Sequence, residues 1–135
     1  PLGSAPVLRQ PRTCRLVQTI VAMQRLEHEF GDAGPQLVPK RSVVEAGAGE
    51  ILITSIDQEG SMRGYDVRLI KRAVECTNIP VIAHGGAGNF EHMKEAFLTS
   101  GANAVACASL FNFGDNNPIR AKAFLTNYGL DFKTS

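Results

Sequence analysis

From residue 50 to residue 129, short apolar runs alternate with amphipathic stretches, and this alternation limits the possible folds more than any other feature of the chain. Glu50-Ile51-Leu52-Ile53-Thr54-Ser55-Ile56 is a run of strand length, apolar enough for a parallel strand covered on both faces. Residues 57–65 are a polar loop. Asp66 is a good helix N-cap, and Val67, Leu69, Ile70, Ala73 and Val74 supply a helical apolar face. Pro80-Val81-Ile82-Ala83-His84 reads as a second strand, with Pro80 at the first position, where a missing donor does least harm. Gly85-Gly86-Ala87-Gly88 makes a tight loop. Asn89 caps a helix predicted over 90–100, which Gly101 closes. Ala104-Val105-Ala106-Cys107-Ala108 is a third strand, ended by Ser109. A turn over 111–116 leads to a last helix over 118–128, with Gly129 beyond it. The order is β-α-β-α-β-α with short connections. That order implies a parallel sheet, either a segment of a barrel or an open doubly wound sheet. Both architectures bring ligands to the C-terminal ends of the strands.

Length decides how much of a barrel is possible. A closed eightfold β/α barrel takes ~250 residues, and the chain has 135. The expected fold is therefore α/β, a parallel (βα) half-barrel preceded by an amphipathic helix. That helix is predicted over 14–30, where Leu16, Val17, Ile20, Val21, Leu26 and Phe30 recur at helical spacing between Arg15, Gln18, Arg25, Glu27 and Glu29. Gly31-Asp32-Ala33-Gly34-Pro35 stops it. Pro1-Leu2-Gly3-Ser4 reads as the remnant of a cleaved tag. Residues 5–40 form a separate N-terminal segment, and residues 41–135 form the β/α unit. In that unit Ser42-Val43-Val44-Glu45-Ala46 is the end of a helix, closed by Gly47.

Bulk charge excludes some partners. The 14 basic and 13 acidic residues leave a net charge of +1, which gives no electrostatic reason to expect nucleic acid or a membrane surface. No apolar run approaches the ~20 residues of a membrane span, and a cytoplasmic location is expected. Cys14, Cys76 and Cys107 are widely spaced, as free thiols of a reducing compartment are, and do not suit zinc or a disulfide framework. His28 and His92 have no metal-ligand spacing between them, so neither metal nor cofactor is expected.

Chemistry concentrates at one rim. Glycines in Gly85-Gly86-Ala87-Gly88 let the backbone approach a ligand closely, and the helix after Asn89 offers free N–H groups and a positive dipole end. The loop is neither G-x-G-x-x-G nor a Walker loop, so dinucleotide and P-loop chemistry are disfavoured. Gly60 and Ser61 follow the first strand, and Ala108 and Ser109 end the third. In a parallel sheet these strand ends share one rim. Gly60, Ser61, Gly85, Gly86, Ala108 and Ser109 thus describe a phosphate-binding cup, the alternative being a tight strand-to-helix turn over 85–88 that holds no ligand. Asp57, after the first strand, is the candidate general acid or base, although an aspartate there also fixes its own loop. His84 is the one histidine placed to touch a ligand, although a histidine there also serves as a structural residue satisfied by its neighbours. Glu59, Arg63 and Asp66 read as loop and cap residues. Glu50 enters at the opposite rim, where a charge needs a partner.

The motifs Ala46-Gly47-Ala48-Gly49-Glu50-Ile51-Leu52-Ile53-Thr54-Ser55-Ile56-Asp57, Gly64-Tyr65-Asp66 and Ile79-Pro80-Val81-Ile82-Ala83 followed by Gly85-Gly86-Ala87-Gly88 resemble the cyclase (synthase) subunit of imidazole glycerol phosphate synthase. The resemblance runs from about residue 42 to about residue 132. Phe111-Asn112-Phe113-Gly114-Asp115-Asn116-Asn117-Pro118 is more similar to the branch of that family linked to amidotransfer in surface-polysaccharide sugar synthesis. The resemblance implies the C-terminal half of a (βα)₈ barrel, with strands six, seven and eight, and one of the family's two phosphate sites at the six cup residues. It places Thr54 and Asp57 at the pocket mouth. It places Glu50 in a charged gate at the barrel floor, where ammonia enters from a glutaminase partner. The family's two catalytic aspartates lie on strands one and five. Strand one is absent, and residues 5–38 show no β-branched run ending in Asp; Asp32 follows a helix in a glycine loop. Ser61 stands where the family has Thr, which keeps the hydroxyl, and His84 replaces a small residue and narrows the pocket.

Three functions remain open on this reading. The first is a half-barrel that binds a phosphorylated small molecule but lacks cyclase chemistry. The second is a cyclase or lyase completed by another chain, and the third is an assembly module without ligand. A three-strand sheet with open edges invites pairing, so a homodimer or a complementary half-barrel is the expected partner.

Overall fold

In the computed structural model, the described residues are 19–24, 44–45 and 47–132. Strands β1 (Thr19–Gln24), β2 (Glu50–Ser55), β3 (Val81–His84) and β4 (Ala104–Ala106) form one four-stranded sheet in that spatial order. Every neighbouring pair is parallel. Helix α1 (Val67–Cys76) joins β2 to β3, and α2 (Phe90–Leu98) joins β3 to β4. Helices α3 (Ser109–Asn112) and α4 (Pro118–Thr126) follow β4. The sheet is the α/β half-barrel architecture that the alternation from residue 50 implies.

The register explains how the sheet is used. Ile53 pairs with Ala83 and Ile51 with Val81, so these side chains share one face. Ile53, Val81 and Ala83 are buried there with Leu69 and Ile70 of α1, Met93 and Ala96 of α2, Leu110 of α3 and Leu125 of α4. Each large aliphatic chain buried in this way contributes about 1.5–3 kcal/mol. Leu52 and Ile82 pair on the other face and are only half-buried. A barrel turns that second face toward its lumen. At the base of the sheet, the Val81 N–H donates to Asn103 Oδ1 at 3.0 Å, and the Asn103 N–H donates to the Val81 carbonyl at 2.9 Å. This exchange fixes the start of β4 against β3.

Each long helix starts on a side-chain cap. Asp66 accepts from the Leu69 N–H, Asn89 from the His92 N–H, and Asn117 from the Arg120 N–H, with Pro118 in the first turn. Gly101, at φ +76°, lies beyond the end of α2, in the backbone region that glycine enters without strain.

Three expectations change. The helix predicted over 14–30 is contradicted at Thr19–Gln24, which is strand β1; the rest of that range lies outside the described residues. Leu16, Val17, Ile20 and Val21 fit helical spacing, but Thr19-Ile20-Val21 is also a β-branched run. Pairing over six residues, from Thr19 with Glu50 to Gln24 with Ser55, satisfies its backbone against β2. Second, the sheet has four described strands, one more than expected. Third, β4 stops at Ala106, and Ser109 opens α3 instead of ending a strand, so part of the expected turn over 111–116 is helical. Among the described residues, no helix is long and apolar enough to cross a membrane.

Candidate functional site

Three loops meet at the C-terminal ends of β2, β3 and β4 and line one small pocket. The loop after β2 brings Glu59, Gly60 and Met62. The end of β3 brings His84, Gly85, Gly86 and Ala87. The chain leaving β4 brings Ala106, Cys107, Ala108 and Ser109. Among the residues proposed from sequence, Gly60, Gly85, Gly86, Ala108, Ser109 and His84 converge here.

The other proposed residues lie beside the pocket. The Ser61 hydroxyl is 3.2 Å from Gln58 Oε1, to which it donates, and accepts from the Arg63 N–H at 3.2 Å, so it organises its own loop. Thr54 is buried one strand away, with its Oγ1 3.0 Å from His84 Nδ1. Asp57 is exposed in the loop leaving β2 and does not line the pocket. Glu50 begins β2 at the opposite end of the sheet, and is half-buried.

Backbone conformation shapes the pocket wall. Gly85 and Gly86 have φ of +97° and +100°. The Gly64 N–H donates to the Gly86 carbonyl at 2.8 Å, which ties the loop after β2 to the loop after β3. A Cβ on Gly86 would lie 2.0 Å from the Gly64 oxygen, and one on Gly88 would lie 2.0 Å from the Met62 oxygen. Both glycines are needed for this approach of two backbones.

Glu59 is the clearest site residue that sequence reasoning misses, since its position in the chain marks it only as a loop residue. Its Oε2 lies 3.5 Å from His84 Nδ1. The register that pairs Thr54 with His84 sets both side chains on one face, and the turn closed by the Glu59 N–H to the Ser55 carbonyl at 3.0 Å brings the carboxylate back over it. Spacing along the chain carries no trace of that return.

Behind the pocket, the Tyr65 hydroxyl donates to the Ala106 carbonyl at 3.0 Å, bracing β4. Burial pushes the Tyr65 phenol well above its ordinary value, and the neighbouring Cys107 adds to the rise. Burial also raises the Cys107 thiol, against a smaller lowering by its hydrogen bond with Tyr65. A group that the fold holds protonated stabilises the fold fully below the pKa of the unfolded chain, and that stability is lost as pH rises past it. The window for Tyr65 therefore opens above its ordinary value of 10.0. Between pH 8 and pH 11, wild type should lose about 1 kcal/mol more stability than Tyr65→Phe, by urea denaturation at each pH. Equal losses would mean that Tyr65 ionises in the folded protein as readily as in water.

Among the described residues, no group of three or more His, Cys, Asp or Glu side chains is placed to hold a metal ion. The pocket offers small residues and close backbone from three loops. Comparison with known families gives residues 37–117 as a match to the family described as Histidine biosynthesis protein. The match covers more than half of the chain and takes in β2 through α3, with every loop that builds the pocket. A chain matched over that length, and carrying its rim pocket wholly within the match, belongs to the histidine biosynthesis protein family.

Proposed function

We propose that this chain is a half-barrel that holds a phosphate or phosphorylated small molecule at its strand C-terminal rim, self-associates, and does not by itself close a ring as a cyclase does. One observation carries the reading: Gly60, Gly85, Gly86, Ala108 and Ser109, from three separate loops, line one pocket. Backbone and small side chains can surround a tetrahedral oxyanion from several sides. The finer likeness is to the cyclase subunit of imidazole glycerol phosphate synthase, and residues 111–118 favour its polysaccharide-linked branch.

Strand β1 stands beside β2, where that likeness expects the fifth barrel strand, and its last residue is Gln24. At this position of the sequence an amide stands where proton exchange would call for a carboxylate. Self-association is supported by the sheet edge at β4, which pairs only with β3 among the described residues, and by the exposed Phe113 and Ile119 that follow it.

A second reading is favoured by the strand number. Four parallel strands are half of eight, so a complementary half from another chain could complete a cyclase or lyase, with a glutaminase subunit feeding ammonia past Glu50.

Two measurements test the proposal. Inorganic phosphate at 100 times its Kd should raise unfolding free energy by ~2.7 kcal/mol. No shift with phosphate or sulfate would remove the phosphate reading. Light scattering on a sizing column should give a mass near twice 14.5 kDa. A folded monomer would remove self-association, and turnover of the family substrate with ammonia by this chain alone would overturn the inactive reading.

A further inference from the structure

Among the described residues, no lysine or arginine lines the pocket, and the titratable side chains that do are Glu59, His84 and Cys107. From these residues, an oxyanion entering the pocket meets the Glu59 carboxylate with at most one cation to offset the repulsion. We propose that His84 is that cation: Thr54 and Glu59 hold its Nδ1, its Nε2 donates to the oxyanion, and binding takes up one proton. The inference rests on the phosphate reading of the pocket and assigns the group that meets the charge.

Two partners share one ring nitrogen: His84 Nδ1 lies 3.0 Å from Thr54 Oγ1 and 3.5 Å from Glu59 Oε2. The Thr54 hydroxyl can donate to Nδ1 or accept from it, but a carboxylate only accepts, so Nδ1 engages Glu59 only when it carries the hydrogen. A neutral ring protonated at Nδ1 has a bare Nε2, whose lone pair repels an oxyanion. Only the imidazolium places an N–H on both sides, one for Glu59 and one for the ligand. Without the proton, the local charge is that of Glu59 alone; with it, the pair is neutral before the anion arrives.

Among the described residues, the surroundings add no competing charge. Thr54 faces the ring from β2 and Ala106 is its neighbour on β4. Glu59 reaches it from the loop after β2. The Cys107 thiol, on the β4 side of the pocket, is held protonated by burial. A terminal phosphate dianion gains most from this arrangement, because each unit of ligand charge interacts with the imidazolium.

Sulfate is the appropriate probe, since its charge does not change between pH 5.5 and pH 8.5. Calorimetric titration of the full chain with sodium sulfate, at constant ionic strength, should show affinity falling about tenfold per pH unit once the ring loses its proton. Repeating the titration in buffers of different ionisation heat should show one proton taken up. His84→Asn should bind weakly and independently of pH. Glu59→Gln should flatten the profile, because Thr54 can then donate to Nδ1 and leave the hydrogen on Nε2 of a neutral ring. Sulfate binding that is equal at pH 5.5 and pH 8.5, with no proton uptake, would overturn the role of His84 while leaving the cup in place. Failure of both sulfate and phosphate to bind at any pH would overturn the cup itself, and this inference with it.

Discussion

Replacing Gly86 with valine is expected to cost about 3–5 kcal/mol of folding stability, from a positive φ forced on a β-branched residue and from overpacking against a neighbouring backbone. Gly86 has φ +100°, and its added Cβ would fall 2.0 Å from the Gly64 carbonyl oxygen. No rotamer relieves that contact, because Cβ position is fixed by the backbone and the opposing atom is backbone too. The loop after β3 must move away from the loop after β2, breaking the 2.8 Å bond from the Gly64 N–H to the Gly86 carbonyl. Those two loops are adjoining walls of the pocket, so phosphate-dependent stabilisation should vanish in the same variant. Gly60→Ala is the control. Gly60 also has a positive φ, +73°, but nothing lies within 4 Å of its added Cβ. It should lose only the conformational part, about 1–2 kcal/mol. Urea denaturation with and without phosphate measures both effects. A loss below 1 kcal/mol for Gly86→Val, with binding intact, would show that the two loops are not clamped together.

The contrast between these glycines marks where sequence reading works. That Gly60, Gly85, Gly86, Ala108 and Ser109 share a rim follows from strand direction alone, because parallel strands end on one side. Asp66 and Asn89 are legible as caps because their partners lie three residues ahead. Which glycine is clamped against another loop is not legible, since Gly64 and Gly86 meet only through tertiary packing. Strand β1 fails for a related reason. Its residues satisfy helical and extended patterns alike, and the open edge of β2 decides between them. The Ser61 hydroxyl suggests a ligand contact in the sequence, but Gln58 and Arg63 occupy it within four residues of chain. Glu59 is not legible, because its pairing with His84 joins the loop after β2 to the end of β3.

Leu110→Ala is expected to destabilise the protein by about 3–4 kcal/mol, the range for truncating a fully buried leucine whose site collapses only in part. Leu110 is 2% exposed and belongs to the core that Ile53, Met93 and Leu125 share. Its helix, α3, has only four residues, and a helix that short does not sustain itself. Its internal bonds run from Phe111 and Asn112 to the Ala108 carbonyl and from Phe113 to the Ser109 carbonyl, each near 3.0 Å. These bonds give the turn its shape, but its position on the sheet depends on Leu110. Ala108 and Ser109 carry the third wall of the pocket, so loosening the anchor should widen the pocket as well as weaken the fold. Phosphate affinity of the folded fraction should drop roughly tenfold, equivalent to about 1.4 kcal/mol of lost interaction. Asn112→Ala separates anchoring from mere proximity. Asn112 ends the same helix but is exposed, and its truncation should change stability by less than about 0.5 kcal/mol and leave binding unchanged. Denaturation and phosphate titration of both variants decide the matter. If Leu110→Ala were destabilised but bound phosphate at full affinity once folded, α3 would be packing for the core alone, and the wall it forms would owe its place to β4.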